Sequence, residues 1–321
     1  MCTKSIVVEE EIMKKWVFIS VFLLLLTVCL EPPRDNLYDP LNPDKVNLGG
    51  TTYRHDGSRL PEVSIRLIQR DSLVEEAVSG SDGWFEFSDI DPGIYKLVAK
   101  PTEYYYMPVE FLSESLSAGT DTILDIHFSH MVFDFESEPV GTREIPEWTV
   151  QTGWWQVVED TSHGPLHSVP NVFRGYVPDT IIGVALCLTN QPLNNFFYEV
   201  MMKSDDVSPL GWQMGMVFRY QNEHNFYRVR ITETSPNRLV INKVVDDNVT
   251  VLYMDDPPIA RNVWYKMTVE CVGTEITFKL QGHNVDIVQI MNDPSLDHGK
   301  LGMLIINPGA VHFDDISVSV K

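Results

Sequence analysis

The sequence predicts an all-β protein, and three observations support this. From about residue 47 onward, runs of five to eight residues alternate apolar and polar side chains, which is the period of a β-strand. Gly, Pro, Asn and Asp separate these runs, and these are the residues that turns favour. No stretch of ten or more residues has convincing helical periodicity. With 321 residues, the chain is long enough for about two domains.

Composition excludes several classes of protein. The chain is 44% hydrophobic and 21% charged, which is ordinary for a protein with a buried core. Its single long apolar run excludes a membrane protein with several spans. The net charge of −21 argues against a nucleic-acid partner, because phosphate contacts need a basic surface.

The amino terminus predicts export. The apolar run Val17–Val28 follows Lys14 and Lys15, and it is too short to cross a bilayer, which takes roughly 17–25 residues. A short basic region before such a run is typical of a secretory signal, so residues 1–28 are interpreted as a signal peptide. Three acidic residues, Glu9–Glu11, do not suit a signal, and we expect translation to start at Met13.

The signal ends at a cysteine. The segment Leu26-Thr27-Val28-Cys29 resembles the lipobox of bacterial lipoproteins, although Val28 stands where that family prefers Ala, Gly or Ser. The resemblance implies that Cys29 is lipidated and that the protein is anchored to a membrane in the cell envelope, at the outer membrane or surface of a bacterium. The alternative is a cysteine that merely ends the apolar run. Residues 29–46 contain four prolines and read as an extended tether.

Two cysteines remain in the mature chain beyond Cys29. Cys187 and Cys271 could form a disulfide in an exported protein, or they could be small buried side chains. Alternation in Met267–Cys271 places Cys271 on the apolar face and favours burial.

Residues 47–130 form the first predicted domain. Its alternating segments are Leu60–Leu67, Asp82–Phe87 and Pro92–Leu97, and turn residues separate them. They resemble the carboxypeptidase regulatory-like domain, a small prealbumin-like β-sandwich. The resemblance implies a non-catalytic spacer or interaction unit.

Residues 131–321 form a second, larger predicted domain. So many strands in one domain predict two packed sheets, a jelly roll. The segments Phe133–Glu136, Gly215–Tyr220, Trp264–Cys271 and Phe313–Ile316 resemble the laminin-G-like branch of the concanavalin-A-like lectin and glucanase superfamily. This resemblance implies a fold, and a fold does not specify a ligand.

The sequence contains no recognisable catalytic motif. A glycosidase needs two carboxylates across the scissile bond, and the Glu-x-Asp-x-x-Glu strand of the glucanase branch is absent. Adjacent acids such as Asp246-Asp247 point to opposite faces of a strand and read as loop tips. His127 with His130 and His163 with His167 lack the further ligands that a zinc site needs.

Carbohydrate binding is predicted from one hairpin and from tryptophans. The segment Arg219–Arg230 is rich in Arg, Asn and Tyr, and sugars bind to aromatic faces and to polar groups that donate two hydrogen bonds. The alternative is that Arg219 and Tyr227 brace the sandwich. Only one of Trp154 and Trp155 can face outward. The candidate ligand-binding residues are Arg219, Tyr220, Asn225, Tyr227, Trp154 and Trp212.

A structural Ca²⁺ ion is a further expectation. Hard cations take carboxylate and carbonyl oxygens, and the terminal strands of such sandwiches usually pair. Glu136 near the first strand could therefore meet Asp314 or Asp315 near the last. The alternative is that these are ordinary polar residues at a sheet edge.

Together these features predict a non-catalytic cell-surface lipoprotein that binds carbohydrate through its jelly roll. Two alternatives remain open. One is a glycan-cleaving enzyme, since some relatives resemble the 3-keto-disaccharide hydrolase domain. The other is a purely structural or adhesive surface protein.

Overall fold

The computed structural model describes residues 44–103, 105–119, 121–160, 168–178, 183–205, 211–234 and 236–321. The predicted signal, Cys29 and most of the tether lie outside these residues, as do Tyr104, His163 and His167. Within the described residues every regular element is a strand, which confirms the all-β prediction. None of them forms a helix that is long and apolar enough to cross a membrane.

The described part of the chain forms 23 strands. They are β1 (Val46–Tyr53), β2 (Val63–Gln69), β3 (Ser72–Val78), β4 (Trp84–Ile90), β5 (Gly93–Pro101), β6 (Val109–Leu116), β7 (Asp121–Ile123), β8 (Ile126–His127), β9 (His130–Phe133), β10 (Trp148–Thr152), β11 (Trp154–Glu159), β12 (Asn171–Val177), β13 (Val184–Thr189), β14 (Phe196–Ser204), β15 (Gln213–Asn222), β16 (Asn225–Thr232), β17 (Arg238–Val245), β18 (Asn248–Asp255), β19 (Tyr265–Val272), β20 (Glu275–Gly282), β21 (Val285–Asn292), β22 (Lys300–Ile306) and β23 (Gly309–Val320).

Strands β1–β8 pair only with one another and form a small sandwich. One sheet has the order β4-β1-β7, with β8 also paired to β1, and the other has the order β3-β2-β5-β6. Alternation places one set of side chains between the sheets, so that Ile65, Leu67, Phe85, Phe87 and Leu97 are all buried.

Strands β9–β23 form a larger sandwich. A seven-stranded sheet has the order β10-β13-β22-β15-β16-β17-β18, and an eight-stranded sheet has the order β11-β12-β23-β14-β19-β20-β21 with β9 paired to β23. The core between them is rich in Met, Phe and Tyr, including Met216, Phe218, Tyr198 and Phe278.

The two sandwiches meet at two tyrosines. The rings of Tyr105 and Phe133 stack with their centroids 5.4 Å apart. Tyr106 forms a backbone bridge to Met131, and the Met107 N–H donates to the carbonyl of His130. Because both tyrosines are buried, they join the sandwiches and offer no stacking surface for a ligand.

Gly153 lets the chain pass from one sheet of the large sandwich to the other. It separates β10 in the seven-stranded sheet from β11 in the eight-stranded sheet, and its φ is +83°. A Cβ there would lie 2.3 Å from the Cβ of Ala185, so a larger residue does not fit. After this turn Trp154 points outward and is 60% exposed, whereas Trp155 is only 4% exposed.

The two described cysteines are both free and buried. Burial raises the pKa of the Cys271 thiol to about 12 and also raises that of Cys187. Both therefore pack as small neutral side chains, and no disulfide joins them.

Candidate functional site

Arg219 lies inside the large sandwich. The pairing of β15 with β16 shifts between Phe218 and Asn222, and Arg219 has a φ of +47°. This bulge turns its side chain inward, where it is 1% exposed. Its guanidinium donates to the carbonyls of Leu296, Asn194 and Gly273 at 2.8, 3.1 and 2.6 Å. Arg219 thus ties three chain segments together.

Tyr227 also faces the core. Its ring stacks on Phe218 at 5.2 Å, and its hydroxyl donates to Asp293 Oδ1 at 2.7 Å. Asp293 accepts further from Lys243 Nζ at 2.6 Å and from the Ser295 N–H at 2.9 Å. Burial opposes ionisation of Asp293, but these hydrogen bonds outweigh it and lower its pKa to about 2.

The structure therefore corrects part of the predicted binding set. Arg219, Tyr227 and Trp212 are all buried, and they brace the sandwich without offering a ligand any surface. Asn225 holds the hairpin turn, because its side chain donates to Asn222 Oδ1 and accepts from the Asp246 N–H. Tyr220 is half-buried and packs on Phe226 at the edge of the outer face.

Trp154 is the predicted residue that the structure places at an open surface. It lines a cleft of about 320 Å³ on the outer face of the eight-stranded sheet. We call this the Trp154 cleft, and its lining residues are Arg143, Trp154, Trp155, Gln156, Arg174, Tyr176 and Pro178.

Strand pairing assembles the Trp154 cleft. In the antiparallel pair β11–β12, Trp154 lies opposite Tyr176 and Gln156 lies opposite Arg174. Residues two apart share a face, so two aromatic rings and two planar polar groups form one patch. The guanidinium of Arg174 lies 5.3 Å from the Tyr176 ring centroid. Arg174 and Tyr176 are not among the binding residues predicted from the sequence, although their spacing in Arg174-Gly175-Tyr176 predicts a shared face.

A network of polar side chains, partly buried, contacts Arg174. Arg174 Nη2 lies 3.3 Å from Asp205 Oδ2, and His312 Nε2 lies 3.7 Å from the same oxygen. His312 Nδ1 lies 2.7 Å from Asp160 Oδ2, and Lys203 pairs with that carboxylate as well. The contact with Asp205 restrains the Arg174 guanidinium, which also lines the Trp154 cleft.

The predicted calcium residues lie close together around Ser168. The Ser168 N–H donates to Asp315 Oδ2 at 2.9 Å, and its Oγ lies 3.3 Å from Asp314 Oδ2. The N–H of Asn171 donates to Glu136 Oε1 at 3.3 Å. Burial, with the neighbouring charge of Asp315, raises the pKa of Asp314 to about 9. Among the described residues no group of three or more His, Cys, Asp or Glu side chains forms a metal-ligand set, so calcium remains a prediction.

Comparisons with known proteins identify no family for the chain. No family model matches the sequence. Colossin-A from Dictyostelium discoideum is 28% identical over 100 residues, which are 30% of this chain and 1% of that protein. The chain therefore matches only a very small part of this curated relative.

Similar solved structures include a carbohydrate-binding module, CBM66, from Bacillus subtilis, at 17% identity and a TM-score of 0.43, covering 56% of this chain and 99% of that one. The GH43 protein BlXynB from Bacillus licheniformis has 10% identity and a TM-score of 0.41, covering 76% and 52%. A prokaryotic β-1,3-1,4-glucanase derived from a mouse hindgut metagenome has 13% identity and a TM-score of 0.38, covering 60% and 99%. At this level of similarity these structures specify no ligand for the chain.

Proposed function

We propose that the chain is a non-catalytic carbohydrate-binding protein and that the Trp154 cleft holds the sugar. The observation that carries the proposal is an exposed tryptophan beside a tyrosine and an arginine in one cleft. The C–H faces of a pyranose pack on flat aromatic rings, and its hydroxyls suit planar donors and acceptors such as Arg174 and Gln156. An exposed Trp with no such neighbours would not support this function.

The lining of the cleft favours binding over cleavage. No described carboxylate lines it, and Asp205, which pairs with Arg174, is not among its lining residues. Because glycoside hydrolysis generally needs two carboxylates that flank the scissile bond, the hydrolase alternative lacks its chemistry at this cleft.

A glycan array probed with the whole chain in detergent tests the proposal. Glycans bound by the wild type are then titrated by calorimetry against Trp154→Ala. We expect binding to weaken at least tenfold, because the variant loses the stacking platform. Trp84→Ala is the matched control, since Trp84 is 41% exposed on the small sandwich and its loss should leave affinity unchanged. If the wild type binds no glycan, or if Trp154→Ala binds as tightly as the wild type, the proposal is contradicted and the purely structural alternative is favoured.

We also propose that the protein is exported and anchored to the cell envelope by a lipid on Cys29, on the strength of the Leu26–Cys29 segment alone. Cys29→Ser should release the protein from the membrane fraction in soluble form. A variant that stays in the membrane fraction at high salt would contradict the anchor.

A structural Ca²⁺ ion at Glu136, Asp314 and Asp315 is the last part of the proposal. The carboxylates of Asp314 and Asp315 lie around Ser168, and the carbonyl of Asp134 is 3.4 Å from Ser168 Oγ. These groups supply the oxygens that Ca²⁺ prefers. Calcium should raise the melting temperature of the wild type and should not raise that of Asp315→Asn. An unchanged melting temperature for the wild type would refute the site.

A further inference from the structure

Two arginines lie side by side on the outer face of the seven-stranded sheet, away from the Trp154 cleft. Arg228 and Arg230 are both on β16, and residues two apart on a strand share a face at a spacing of roughly 7 Å. Their neighbours across the sheet are Val217 and Asn242 for Arg228, and Gly215 and Val240 for Arg230. The pair therefore lies near the middle of the sheet, far from either edge strand.

The partners of these two arginines are neutral. Arg228 Nε donates to Asn242 Oδ1 at 3.1 Å, and Arg230 Nη1 donates to the side-chain oxygen of Gln213. Arg230 Nε is buried and has no hydrogen-bond partner among the described residues. Neither arginine forms an ion pair with a described carboxylate, although the chain has 45 acidic residues and a net charge of −21.

Several other arginines pair with carboxylates. Arg54 pairs with Glu103, Arg174 with Asp205, Arg238 with Asp256 and Arg261 with Glu233. Arg219 has no described carboxylate partner either, but three backbone carbonyls accept from its guanidinium. Arg228 and Arg230 differ from both kinds, because each donates only to a single neutral side chain.

The arrangement disfavours the charged form of both side chains. Burial lowers the pKa of Arg230, and burial together with the charge of Arg230 lowers that of Arg228 to about 10. Half-buried like charges with neutral partners do not stabilise a fold. Such arrangements are expected at functional sites, where a ligand supplies the missing charge.

Apolar side chains pack beside the arginines and end in aromatic rings. Leu186, Leu188, Val217 and Leu304 form a buried cluster, and the half-buried Tyr220 and Phe226 pack against it. The Arg228 guanidinium lies 5.8 Å from the Phe226 ring centroid. A ligand on this face would meet two cations, the side-chain amide of Gln213 and the aromatic pair of Tyr220 and Phe226, all of them half-buried.

We infer that this outer face is a second binding surface and that it takes an acidic saccharide, whose carboxylate or sulfate group lies between Arg228 and Arg230. Guanidinium groups bind both oxyanions with paired hydrogen bonds. The half-buried amide of Gln213 suits a hydroxyl of the sugar, and the half-buried Tyr220–Phe226 ring pair suits its C–H face. The inference does not depend on the Trp154 cleft, since the two surfaces belong to different sheets.

Calorimetry with the whole chain in detergent tests this inference with four probes. Polygalacturonate carries carboxylates, dextran sulfate carries sulfates, unsubstituted dextran is the neutral control, and polyglutamate is an acidic chain without sugar. We expect one or both acidic polysaccharides to bind and dextran not to bind, and the tighter of the two identifies the oxyanion. Affinity should fall as salt is raised, because the contact is ionic.

Variants assign the binding to the arginines. Arg228→Gln and Arg230→Gln should each weaken binding at least tenfold, and Arg230→Lys, which keeps the charge but loses the planar fork, should weaken it less. Arg66→Gln removes the same charge from an exposed position on the small sandwich and should have no effect. Unsubstituted dextran lacks the oxyanion, so its binding would report sugar binding elsewhere, such as at the Trp154 cleft, and failures of the two sites are distinguishable.

Three results would overturn the inference. The first is that neither acidic polysaccharide binds, and the second is that polyglutamate binds as tightly as the polysaccharides. The third is that Arg228→Gln and Arg230→Gln bind as tightly as the wild type. Melting curves accompany each variant, and if Arg228→Gln, Arg230→Gln and Arg230→Lys all fail to fold, the arginines are structural and the inference is wrong.

Discussion

The two faces of the β15–β16 hairpin use arginine in opposite ways. On the inner face, Arg219 is almost fully buried, and its Nη atoms donate to three backbone carbonyls. On the outer face, Arg228 and Arg230 are half-buried, and each donates to a single side-chain amide. One short stretch of sequence thus contains a bracing arginine and two arginines that are available to a ligand.

Burial alone does not separate structural from functional arginines. Each side has a guanidinium Nε without a partner, in Arg219 and in Arg230. The difference lies in what the remaining donors reach. Carbonyls from three distant segments enclose Arg219, whereas amides on neighbouring strands leave the outer pair open on one side. Stability measurements on the two faces should therefore diverge.

The largest expected effect comes from Arg219→Ala. The change removes the donor to the carbonyls of Leu296, Asn194 and Gly273 and opens a cavity in the core, so unfolding free energy should fall by about 3–5 kcal/mol. Urea denaturation of the whole chain, followed by tryptophan fluorescence, measures this.

The same denaturation curves can contradict the bracing role of Arg219. A loss below about 1 kcal/mol would mean that the carbonyls of Leu296, Asn194 and Gly273 find other donors, and the bracing role would be wrong. Arg238→Ala is the control, because Arg238 is exposed on the neighbouring strand and only touches Asp256 at 3.5 Å.

A smaller effect is expected at Asp293, which supports Tyr227 on the inner face. Its folded pKa of about 2 lies below the ordinary value of 3.8, so its ionised form stabilises the fold. This contribution, roughly 2 kcal/mol, is complete above about pH 4 and is lost as the pH falls from 4 towards 2. Asp293→Asn should lower stability at pH 7 by a similar amount and flatten the acid limb of the stability curve.

Urea midpoints measured from pH 2 to pH 7 test this. The wild type and Asp293→Asn should differ most at neutral pH and converge towards pH 2. Parallel curves across that range would show that Asp293 does not titrate as the hydrogen bonds from Lys243, Ser295 and Tyr227 require.

Alternation in the sequence predicts the strands and much of the core, but not which side of the hairpin faces outward. In a regular strand Arg219 would point away from Phe218, and only the bulge with its positive φ turns it inward. For Trp154 and Trp155, alternation predicts that one of the two is buried and does not predict which one. The turn at Gly153 determines that it is Trp155. The partners of Trp154 come from β12 through long-range pairing, which a single sequence does not specify.

The smallest expected effect separates the two faces most clearly. Arg228→Gln removes a charge that burial and Arg230 already disfavour, since the folded pKa of about 10 lies below the ordinary 12.5. The folded state binds the guanidinium proton of Arg228 less tightly than the unfolded state does, so the charged side chain destabilises the fold throughout the neutral pH range. Replacing Arg228 by Gln removes this destabilisation. Glutamine retains an amide that can still donate to Asn242 Oδ1. Unfolding free energy should therefore stay within about 1 kcal/mol of the wild type, on the stabilised side. Urea denaturation at pH 7, beside Arg219→Ala, measures both arginines on one scale. A loss of several kcal/mol for Arg228→Gln would place it in the same structural class as Arg219 and would end the distinction between the two faces.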